Sequence, residues 1–473
     1  MPNSTITALE RARHLIASDK FPFKLADLQV SDILEAIPAE RFAWNLEVGC
    51  GKTPCSTMTA LAWDESHTIV AVPPIIIDSW AAWLKLIGET DIGIYRGPRR
   101  TQSLLNHKWV LMSHAIFRDS FETIQHFYTN KSLSLIIDES QHLKNPQSKL
   151  FKCVYKLAQP DRRIQLLTGT PTSKPQDTYA YMRIKTPNLY RSYGHWQNMH
   201  VDEVDIFKTI TKYKNLDLLA ENFAIKAVKR TKQEIFGHNL DPIFQPMEYE
   251  LAPKHAALYK KLAEEQLLLL DNGDKIDATT AQRLRHALQQ IVCNYGKFSG
   301  NPEHVSSAYD LLDQVIEEVD PIDQSKSKLV IWTYYVATSE AVTAYLREKY
   351  GVEAVAAAYG KVDSNKGVEA IMHNPKCRFL VAQPSSAGVG LNLHHVCSEM
   401  LFLEMSTSPM QVRQAIGRTD RVGQKVRPTI RFGQAKGTIQ LKLFQDLLKN
   451  DTLVTQVERT KKSLRDEIFG ITA

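Results

Sequence analysis

The sequence has few cysteines, and none of them is spaced like a pair of metal ligands. Its six cysteines include no C-x-x-C motif; they are Cys50, Cys55, Cys153, Cys293, Cys377 and Cys397. This spacing suggests neither a zinc ribbon nor a disulfide framework. We therefore expect reduced thiols, as in a cytosolic or nuclear protein.

Long apolar runs are also missing. The tightest apolar cluster, near Leu267–Leu270, is far too short to cross a bilayer, and the N-terminal segment lacks the apolar core of a signal peptide. We therefore expect no membrane association. The expected location is the cytoplasm of a bacterium or of a phage-infected host cell, or the nucleus if the source is eukaryotic. No heptad seam of adequate length occurs, so a monomer is the expected state.

Neither short repeats nor low-complexity segments interrupt the chain. Its composition is ordinary for a globular protein, because 43% of the residues are hydrophobic and 23% are charged, which argues against disorder. A length of 473 residues is right for two or three domains. The net charge of +6 is compatible with a polyanionic partner but does not establish one.

Strands and helices alternate in each half of the chain, which predicts an α/β fold with two parallel sheets. The predicted strands are 67–72, 108–112, 133–138, 162–167, 328–335, 352–359, 378–383, 399–404 and 429–434. The basic stretch 226–242 is interpreted as a connector, and two long helices separated by a turn at Asp271–Asp274 are predicted after it. We therefore predict a first lobe at 1–235 and a second at 236–473, with a helical insertion at about 254–320.

The segment LIIDESQHLKN, Leu135 to Asn145, runs an apolar strand directly into two carboxylates. Such a run is typical of a buried strand in a parallel sheet, and ligands bind at the carboxyl ends of these strands. Asp138 and Glu139 would stand at that edge and repel each other unless a cation lies between them and a substrate. The pair therefore predicts a magnesium site.

A candidate phosphate-binding loop lies upstream, in WNLEVGCGKT. Gly49 and Gly51 would let backbone N–H groups surround phosphate oxygens, while Lys52 reaches the outer phosphates and Thr53 ligates magnesium. Leu46 stands where the strict motif has its first glycine, so a glycine turn with a surface lysine is the alternative for this motif taken alone. The acidic pair downstream favours nucleotide binding.

Two further stretches place small or hydroxylic residues after strands. LLTGTPTSKP offers Thr168 and Thr170 on a tight turn, and a self-capping strand end is the simpler interpretation of that turn alone. SSAGVGLNL, which contains Gly390, permits a close approach of the backbone to a ligand or another domain. Its alternative is a flexible strand–helix loop.

QAIGRTDRVGQ is more specific because it pairs two arginines. Arg418 and Arg421 lie three residues apart, which predicts that they share one helix face. Guanidinium groups stabilise charge on a transferring γ-phosphoryl group, although a solvated basic face is the usual fate of paired arginines. The order of the motifs favours catalysis, with ATP and magnesium on lobe one and arginines supplied by lobe two when the cleft closes. The Gln29 amide would recognise the edge of the adenine base by hydrogen bonding. The alternative is that Gln29 is simply an exposed glutamine on a helix.

Together these stretches resemble the superfamily-two helicases and, within them, the Swi/Snf-type DNA translocases. The segments that carry the resemblance are LADLQ, LEVGCGKT, VAVPPIIIDSWAAWL, VLMSHAIFRD, IIDESQHLKN, LLTGTP, AVKRTK, LVIWTYY, SSAGVGLNL, QAIGRTDRVGQ and KGTIQ. They run in the family's order from about Leu25 to Gln440. The resemblance implies two RecA-like parallel-sheet lobes with helical insertions, and an ATP site in the interlobe cleft.

The resemblance also implies the activity, the cofactors and the partner. It implies ATP with Mg²⁺, and ATP-driven tracking along duplex or branched DNA without sequence preference, usually without strand separation; RNA is the less expected partner. Branch migration and strand annealing are compatible uses. A strand-separating helicase on DNA or RNA and an ATP-gated nucleic-acid clamp with little turnover are the alternatives. No chromatin-reading, nuclease or zinc module is expected in the remaining residues, so a minimal motor of phage or bacterial type is expected.

Roles follow residue by residue from the resemblance. Lys52 contacts phosphates, and Thr53 with Asp138 holds magnesium. Glu139 orients the attacking water, and Gln141 links the nucleotide site to the other lobe. Arg418 and Arg421 are the arginine fingers. The nucleotide-binding positions are Gln29, Gly49, Cys50, Gly51, Lys52, Thr53 and Gly390, and the positions for nucleic-acid binding or coupling are Pro73, Thr168, Thr170, Lys229, Arg230 and Gln414.

The chain departs from the family pattern at several positions, which bears on the subfamily more than on ATPase activity. The departures are Leu46, Gln141 in place of a frequent histidine, Glu404 in place of aspartate, and Ser406 with Thr407 in place of a tryptophan pair. Further basic candidates for phosphate contacts on DNA are Arg96, Arg99, Arg100, Lys144 and Lys232. A solvated basic face is the alternative for each of them.

Overall fold

A computed structural model gives the fold, and it describes residues 2–18, 20–98, 100–158, 162–206, 208–237, 240, 242–269, 275–277, 280–360, 362, 364–384, 393–406, 408–421 and 423–458. The chain divides into two compact units. Unit 1 comprises residues 1–239 and a short stretch that begins at Leu453, and unit 2 comprises residues 240–452 together with the last residues of the chain. Each unit is built on its own parallel sheet.

Within its described residues, unit 1 has a seven-stranded sheet in the order β3-β4-β2-β5-β6-β1-β9, with every neighbouring pair parallel. A separate antiparallel hairpin is formed by β7 and β8. The strands are β1 (Arg41–Leu46), β2 (His67–Val72), β3 (Ile92–Ile94), β4 (Trp109–Ser113), β5 (Leu133–Asp138), β6 (Arg163–Leu167), β7 (Val201–Val204), β8 (Ile210–Tyr213) and β9 (Ala227–Arg230).

Helices cover both faces of this sheet, which is why its central strands are apolar along their whole length. Ile69 and Ala71 of β2 enter the core on one face, and Val70 and Val72 enter the core on the other. The helices are α1 (Pro2–Ala17), α2 (Asp27–Ala39), α3 (Lys52–Trp63), α4 (Ile77–Leu86), α5 (His114–Asp119), α6 (Phe121–Phe127), α7 (Lys149–Leu157), α8 (Thr178–Lys185), α9 (Tyr193–His200), α10 (Leu216–Ala224) and α11 (Lys232–Phe236).

Unit 2 is also built on one parallel sheet with a separate hairpin. Its described residues form a six-stranded parallel sheet in the order β10-β17-β16-β13-β15-β14, and β11 and β12 form an antiparallel hairpin. The strands are β10 (Ile243–Tyr249), β11 (Leu267–Leu269), β12 (Lys275–Asp277), β13 (Lys328–Trp332), β14 (Val355–Ala358), β15 (Phe379–Ala382), β16 (Cys397–Phe402) and β17 (Thr429–Ala435). The predicted α/β class with two parallel sheets is confirmed.

Side chains on the two faces of β13 pack in two different apolar cores, as those of β2 do in unit 1. Leu329 and Ile331 enter one, and Val330 and Trp332 enter the other. The helices of this half are α12 (Pro253–Glu265), α13 (Ala281–Cys293), α14 (Tyr295–Ser299), α15 (Ala308–Val319), α16 (Val336–Tyr350), α17 (Ser364–His373), α18 (Pro409–Ile416) and α19 (Ile439–Glu458). None of the helices in the described part of the chain is long and apolar enough to cross a bilayer.

Two local predictions need correction. The stretch interpreted as a connector does contain the boundary between the units, after residue 239, but most of it is structured. It includes β9, which extends the sheet beside β1, and α11, which begins at a capping box of Thr231 and Glu234. The first long helix of the insertion ends at Glu265 rather than running through the leucines, because Leu267–Leu269 pair with Lys275–Asp277 as a hairpin. The predicted turn at Asp271–Asp274 lies outside the described residues.

Candidate functional site

Three neighbouring strands of unit 1 end at the same edge of the sheet, and each is followed by one of the predicted motifs. β5, β6 and β1 are adjacent and parallel, so the loops after them emerge side by side. The first loop follows Asp138, the second begins at Thr168, and the third contains Gly49. Motifs far apart in sequence thus meet at the carboxyl edge, where ligands bind in open α/β sheets.

The loop after β1 has the backbone geometry of a phosphate cradle. Gly49 has φ 90° and Gly51 has φ 83°, both in the left-handed region that favours glycine. Gly51 is the residue before the first turn of α3, where Lys52 and Thr53 stand beside unsatisfied helix N–H groups. The ammonium of Lys52 donates to the carbonyl oxygens of Leu46 at 2.9 Å and Glu47 at 3.1 Å, across the mouth of the loop.

Gln29 holds this loop from α2. Its Nε2 donates to the carbonyl oxygen of Cys50 at 3.0 Å, and its Oε1 accepts from the backbone N–H of Ala26 at 2.9 Å. A Cβ added at Gly51 would lie 2.4 Å from Nε2 and would displace the Gln29 amide from the loop, and the φ of 83° at this position favours glycine in any case. Gln29 is 4% exposed, so its alternative as an exposed helix glutamine is wrong, and its amide contacts the loop itself.

Asp138 is buried at the end of β5 with a hydrogen bond on each carboxylate oxygen. Oδ1 accepts from the backbone N–H of Glu139 at 2.8 Å, and Oδ2 accepts from the indole N–H of Trp80 at 2.9 Å. Burial, followed by the charge of Glu139, raises the pKa of Asp138 above its usual range, and the Trp80 bond and the charge of Lys52 oppose that shift. A positive charge beside Asp138 would therefore stabilise its ionised form.

A chain of hydrogen bonds joins the loop after β5 to the loop after β6. The Gln141 amide donates to Glu139 Oε2 at 2.6 Å and accepts from the Thr168 hydroxyl at 2.7 Å. The Thr168 hydroxyl also accepts from the backbone N–H of Thr170 at 3.0 Å. The Thr170 bond is the self-capping strand end that was the simpler interpretation of this turn, and the bond from the buried Thr168 hydroxyl to Gln141 also joins the two motifs.

The residues present fit a magnesium-bound nucleotide. The loop of Gly49 and Gly51 presents backbone N–H groups at the start of a helix, which suits phosphate oxygens. Asp138 supplies a carboxylate whose raised pKa reflects burial, and oxygen donors of this kind are what Mg²⁺ prefers. Thr53, with a hydroxyl on the first turn of α3, completes the proposed donor pair. No cluster of three metal-binding side chains of the His, Cys, Asp or Glu type occurs among the described residues.

The predicted DNA-binding or coupling residues on β9 and after β2 lie beside this site. One of them, Arg230, pairs with a carboxylate inside unit 1. Its guanidinium makes two bonds to the buried Asp32 carboxylate, at 2.6 and 3.1 Å, and so ties β9 to α2. This arrangement favours a structural role for Arg230 over contact with DNA. Lys229 is half-buried on the same strand, and Pro73 is buried directly after β2.

In unit 2 the two arginines do not share a helix face, so that prediction was wrong. α18 ends at Ile416, and Arg418 and Arg421 follow it in an irregular turn that is held by backbone bonds such as Thr419 N–H to Ile416 O at 3.1 Å. Arg418 is buried, and burial lowers the pKa of the half-buried Arg421. Gln414 is half-buried on α18, and Gly390 lies outside the described residues.

Other basic candidates are already engaged by neighbouring groups. Arg96 bonds both oxygens of Asp78 on the surface, and Arg100 donates to the Ser120 hydroxyl. Lys144 donates to the Ser173 hydroxyl at 3.0 Å. Lys232 is buried, so it does not belong to an exposed basic face, and Arg99 lies outside the described residues.

Sequence reasoning missed two partners in this region. Trp80 was assigned to a motif without a role, although a buried indole N–H needs an acceptor. Asp32 was not singled out at all, although an acid on the apolar side of a helix needs a cation. These two signals point to Asp138 and Arg230 as the respective partners.

Comparisons with known proteins agree with the motif order. The chain matches the SNF2-related domain over residues 5–297 and the helicase conserved C-terminal domain over residues 308–423. The "DNA annealing helicase and endonuclease ZRANB3" of Homo sapiens is 19% identical over 438 residues, covering 89% of this chain and 39% of that protein. The "Uncharacterized ATP-dependent helicase YqhH" of Bacillus subtilis is 23% identical over 309 residues, covering 62% of this chain and 53% of that protein.

A solved structure, the Sulfolobus solfataricus SWI2/SNF2 ATPase core in complex with dsDNA, aligns with 94% of this chain and 97% of that chain at 21% identity and a TM-score of 0.42. The chain spans about two fifths of the length of ZRANB3. The SNF2-related domain alone accounts for more than half of the residues. The chain therefore belongs to the family of proteins built on the SNF2-related domain followed by the helicase conserved C-terminal domain.

Proposed function

We propose that this protein is an ATP-dependent DNA translocase, which hydrolyses ATP to ADP and phosphate in order to move along duplex or branched DNA. The observation that carries the proposal is the hydrogen-bonded connection of Glu139, Gln141 and Thr168 beside the glycine loop. A site for simple nucleotide storage has no need to join the water-orienting acid to a second loop. A motor does, because it must link hydrolysis to movement.

The roles of the individual side chains follow from their positions. Lys52 would leave the carbonyl oxygens it now bonds and contact the outer phosphates, and Thr53 and Asp138 would hold Mg²⁺. The ion, when bound, would neutralise negative charge on the phosphates. Glu139 would orient the attacking water, because it lies at the same edge and its carboxylate is held by Gln141. Gln29 would keep the glycine loop in its phosphate-binding form.

The second lobe, at 236–473 in our proposal, would contribute Arg418 and Arg421. A guanidinium that contacts the transferred phosphoryl group is worth about 10³–10⁵ in rate in related chemistry. Both side chains follow α18 in an irregular turn whose backbone is fixed by hydrogen bonds. Burial lowers the pKa of Arg421, but an arginine guanidinium is not deprotonated in proteins.

Duplex or branched DNA is the proposed partner, and we propose that it is bound without regard to sequence. The net charge of +6 supports a polyanion. The names of relatives include an annealing helicase. Branch migration and strand annealing are therefore the favoured uses. We propose a monomer because the sequence has no heptad seam of adequate length.

Triplex displacement tests the proposal directly. A third strand annealed to a duplex should be released when wild-type protein and ATP are added, whereas a forked duplex should not be separated into single strands. Lys52→Ala protein should release nothing. Separation of the fork without displacement of the triplex would indicate a strand-separating helicase. ATP-dependent DNA binding with neither result and no hydrolysis would indicate a clamp.

A further inference from the structure

Asp138 is held by two donors of different origin. The Glu139 N–H belongs to the adjoining residue and moves with the same loop. The Trp80 indole N–H comes from α4, 58 positions away along the chain, and reaches Oδ2 at 2.9 Å. The bond from Trp80 therefore connects the Asp138 carboxylate to α4, a helix that packs in the core of unit 1.

The surroundings of Trp80 make this bond rigid. Trp80 is 2% exposed and belongs to the apolar core that also contains Ile77 and Leu84 of the same helix. Its indole N–H is buried, so it must find an acceptor, and the acceptor is Asp138 Oδ2. The ring orientation is thus set by packing, and the ring orientation sets the position of the donor.

The bond leaves each carboxylate oxygen free to take another partner. A carboxylate oxygen has two lone-pair directions, and one donor has been described for each oxygen of Asp138. Groups that orient a metal-binding carboxylate in this way increase metal affinity, because the ligand does not have to be ordered when the ion arrives.

We propose that Trp80 is the positioning residue for Asp138, holding its carboxylate in the orientation that binds the divalent cation of the nucleotide complex. The inference rests on the proposed function, and it adds a residue on α4 to the machinery. The proposed role is exercised through the hydrogen bond to Asp138.

α4 supplies a matched control. Trp83 lies one turn further on, and its indole N–H also donates to a side-chain oxygen, the Thr57 hydroxyl on α3 at 3.1 Å. Substituting Trp83 by Phe removes an indole donor and ring volume from the same helix without touching Asp138. A change seen with Trp80→Phe and not with Trp83→Phe is therefore a property of the Asp138 bond.

The experiment is a titration of Mn²⁺, standing in for Mg²⁺, onto full-length protein saturated with ADP, with free Mn²⁺ measured by electron paramagnetic resonance. Trp80→Phe should weaken Mn²⁺ binding by about 10- to 100-fold, the range found when a group that orients a metal ligand is removed. Trp83→Phe should bind Mn²⁺ like wild type. In an Asp138→Asn background, Trp80→Phe should cause no further weakening.

The outcomes separate this inference from the proposed function. Wild-type protein that binds no Mn²⁺ with ADP would overturn the proposed function and this inference with it. Wild-type affinity in Trp80→Phe, an equal loss in Trp83→Phe, or a further loss in the Asp138→Asn background would overturn the role of Trp80 alone. If Trp80→Phe does not fold, β-(3-benzothienyl)alanine at position 80 keeps the shape of the indole and lacks its N–H, and the same weakening is expected.

Discussion

At the scale of single residues, the glycine loop is held by the same lysine that the proposal assigns to phosphate. Lys52 bonds the carbonyl oxygens of Leu46 and Glu47, so its ammonium group lies among oxygen acceptors at the start of α3. Gly51 and Gln29 keep the backbone around it in place. These contacts order the site when the protein folds. On binding, phosphate oxygens would replace the carbonyl oxygens around the Lys52 ammonium.

Lys52→Ala should abolish turnover. Losing a cation that contacts the transferred phosphate costs about 10²-fold or more in rate, and nucleotide affinity should fall as well. Steady-state hydrolysis and binding of a fluorescent ATP analogue measure the two effects. Lys85→Ala, an exposed lysine on α4, should leave both unchanged. Near-normal hydrolysis by Lys52→Ala would show that the phosphate site has been assigned wrongly.

Arg421→Ala should separate binding from chemistry. ATP binding should stay largely intact, whereas the DNA-stimulated rate should fall by about 10³-fold or more, as expected for an arginine that contacts the transferred phosphoryl group. Arg427→Ala, a nearby exposed arginine, is the control and should retain the stimulated rate. A variant that hydrolyses ATP normally but loses DNA affinity would move Arg421 to the DNA-binding surface.

At the scale of elements, adjacent strand ends explain how distant motifs act together. β5 and β6 are neighbours, so Gln141 after one and Thr168 after the other come within 2.7 Å. The bond is buried, and a buried bond between two loops transmits a shift of either loop to the other. Its loss should therefore affect both stability and the response to DNA.

Thr168→Val keeps the shape of the side chain and removes the hydroxyl. Gln141 then loses a donor and the Thr170 N–H loses an acceptor, which should cost about 1–3 kcal/mol of unfolding free energy. The ratio of DNA-stimulated to basal ATPase rate should also fall. Thr59→Val is the control, since its hydroxyl bonds the Cys55 carbonyl within α3, and its removal should cost less. Urea unfolding and ATPase assays check both, and an unchanged ratio in Thr168→Val would contradict the relay.

Another inter-element contact gives a pH-dependent stability. Lys185, at the end of α8, is fully buried and donates to the carbonyl oxygens of Phe223 and Ile225, where α10 ends. Burial lowers the pKa of Lys185 to about 7. Between that value and the ordinary lysine pKa of about 10.4 the unfolded chain holds more protons, so unfolding free energy should rise with pH.

Lys185→Met isolates this contribution. Wild-type unfolding free energy should rise more steeply than that of the variant above pH of about 7, by up to about 1.4 kcal/mol per pH unit for one proton. Urea titrations at several pH values between neutral and mildly alkaline provide the comparison. Parallel curves for the two proteins would mean that Lys185 keeps its proton in the folded state.

Much of the fold was predictable because strands buried on both faces of a parallel sheet have continuous apolar sequences. The predicted bounds of β2 and β5 agree with the structure to the residue. β9 was missed because Lys229 and Arg230 look solvated in sequence, whereas the strand lies at an edge and Arg230 bonds a buried acid. The hairpin of Leu267–Leu269 was missed because a short apolar run does not distinguish helix from strand.

The site was predictable at the level of motifs and less so at the level of contacts. Asp138 and Thr168 follow predicted strands, and the ends of strands in a parallel sheet share an edge. The strand before the glycine loop, β1, was not predicted, so the structure was needed to place that loop beside them. The bond from Trp80 depends on how α4 packs, which periodicity does not encode. The helix expected for Arg418 and Arg421 ends early at Ile416, so spacing in sequence did not predict their relation.

At the scale of the whole molecule, each parallel-sheet unit contains some of the groups named in the proposed function. Unit 1 has the glycine loop, the acid pair and the threonine relay, and unit 2 has the arginines after α18. On that proposal, ATP hydrolysis should be fastest when the proper nucleic acid is bound. The choice of nucleic acid is therefore the central claim.

Steady-state ATP hydrolysis tests that claim most directly, measured with no nucleic acid and then with single-stranded DNA, duplex DNA, forked DNA and RNA, each at low and moderate salt. We predict weak basal hydrolysis and strong stimulation by duplex or forked DNA, with the stimulation weakening as salt rises because phosphate contacts are screened. Stimulation mainly by single strands or RNA, or no hydrolysis with any of them, would contradict the assignment as a duplex translocase.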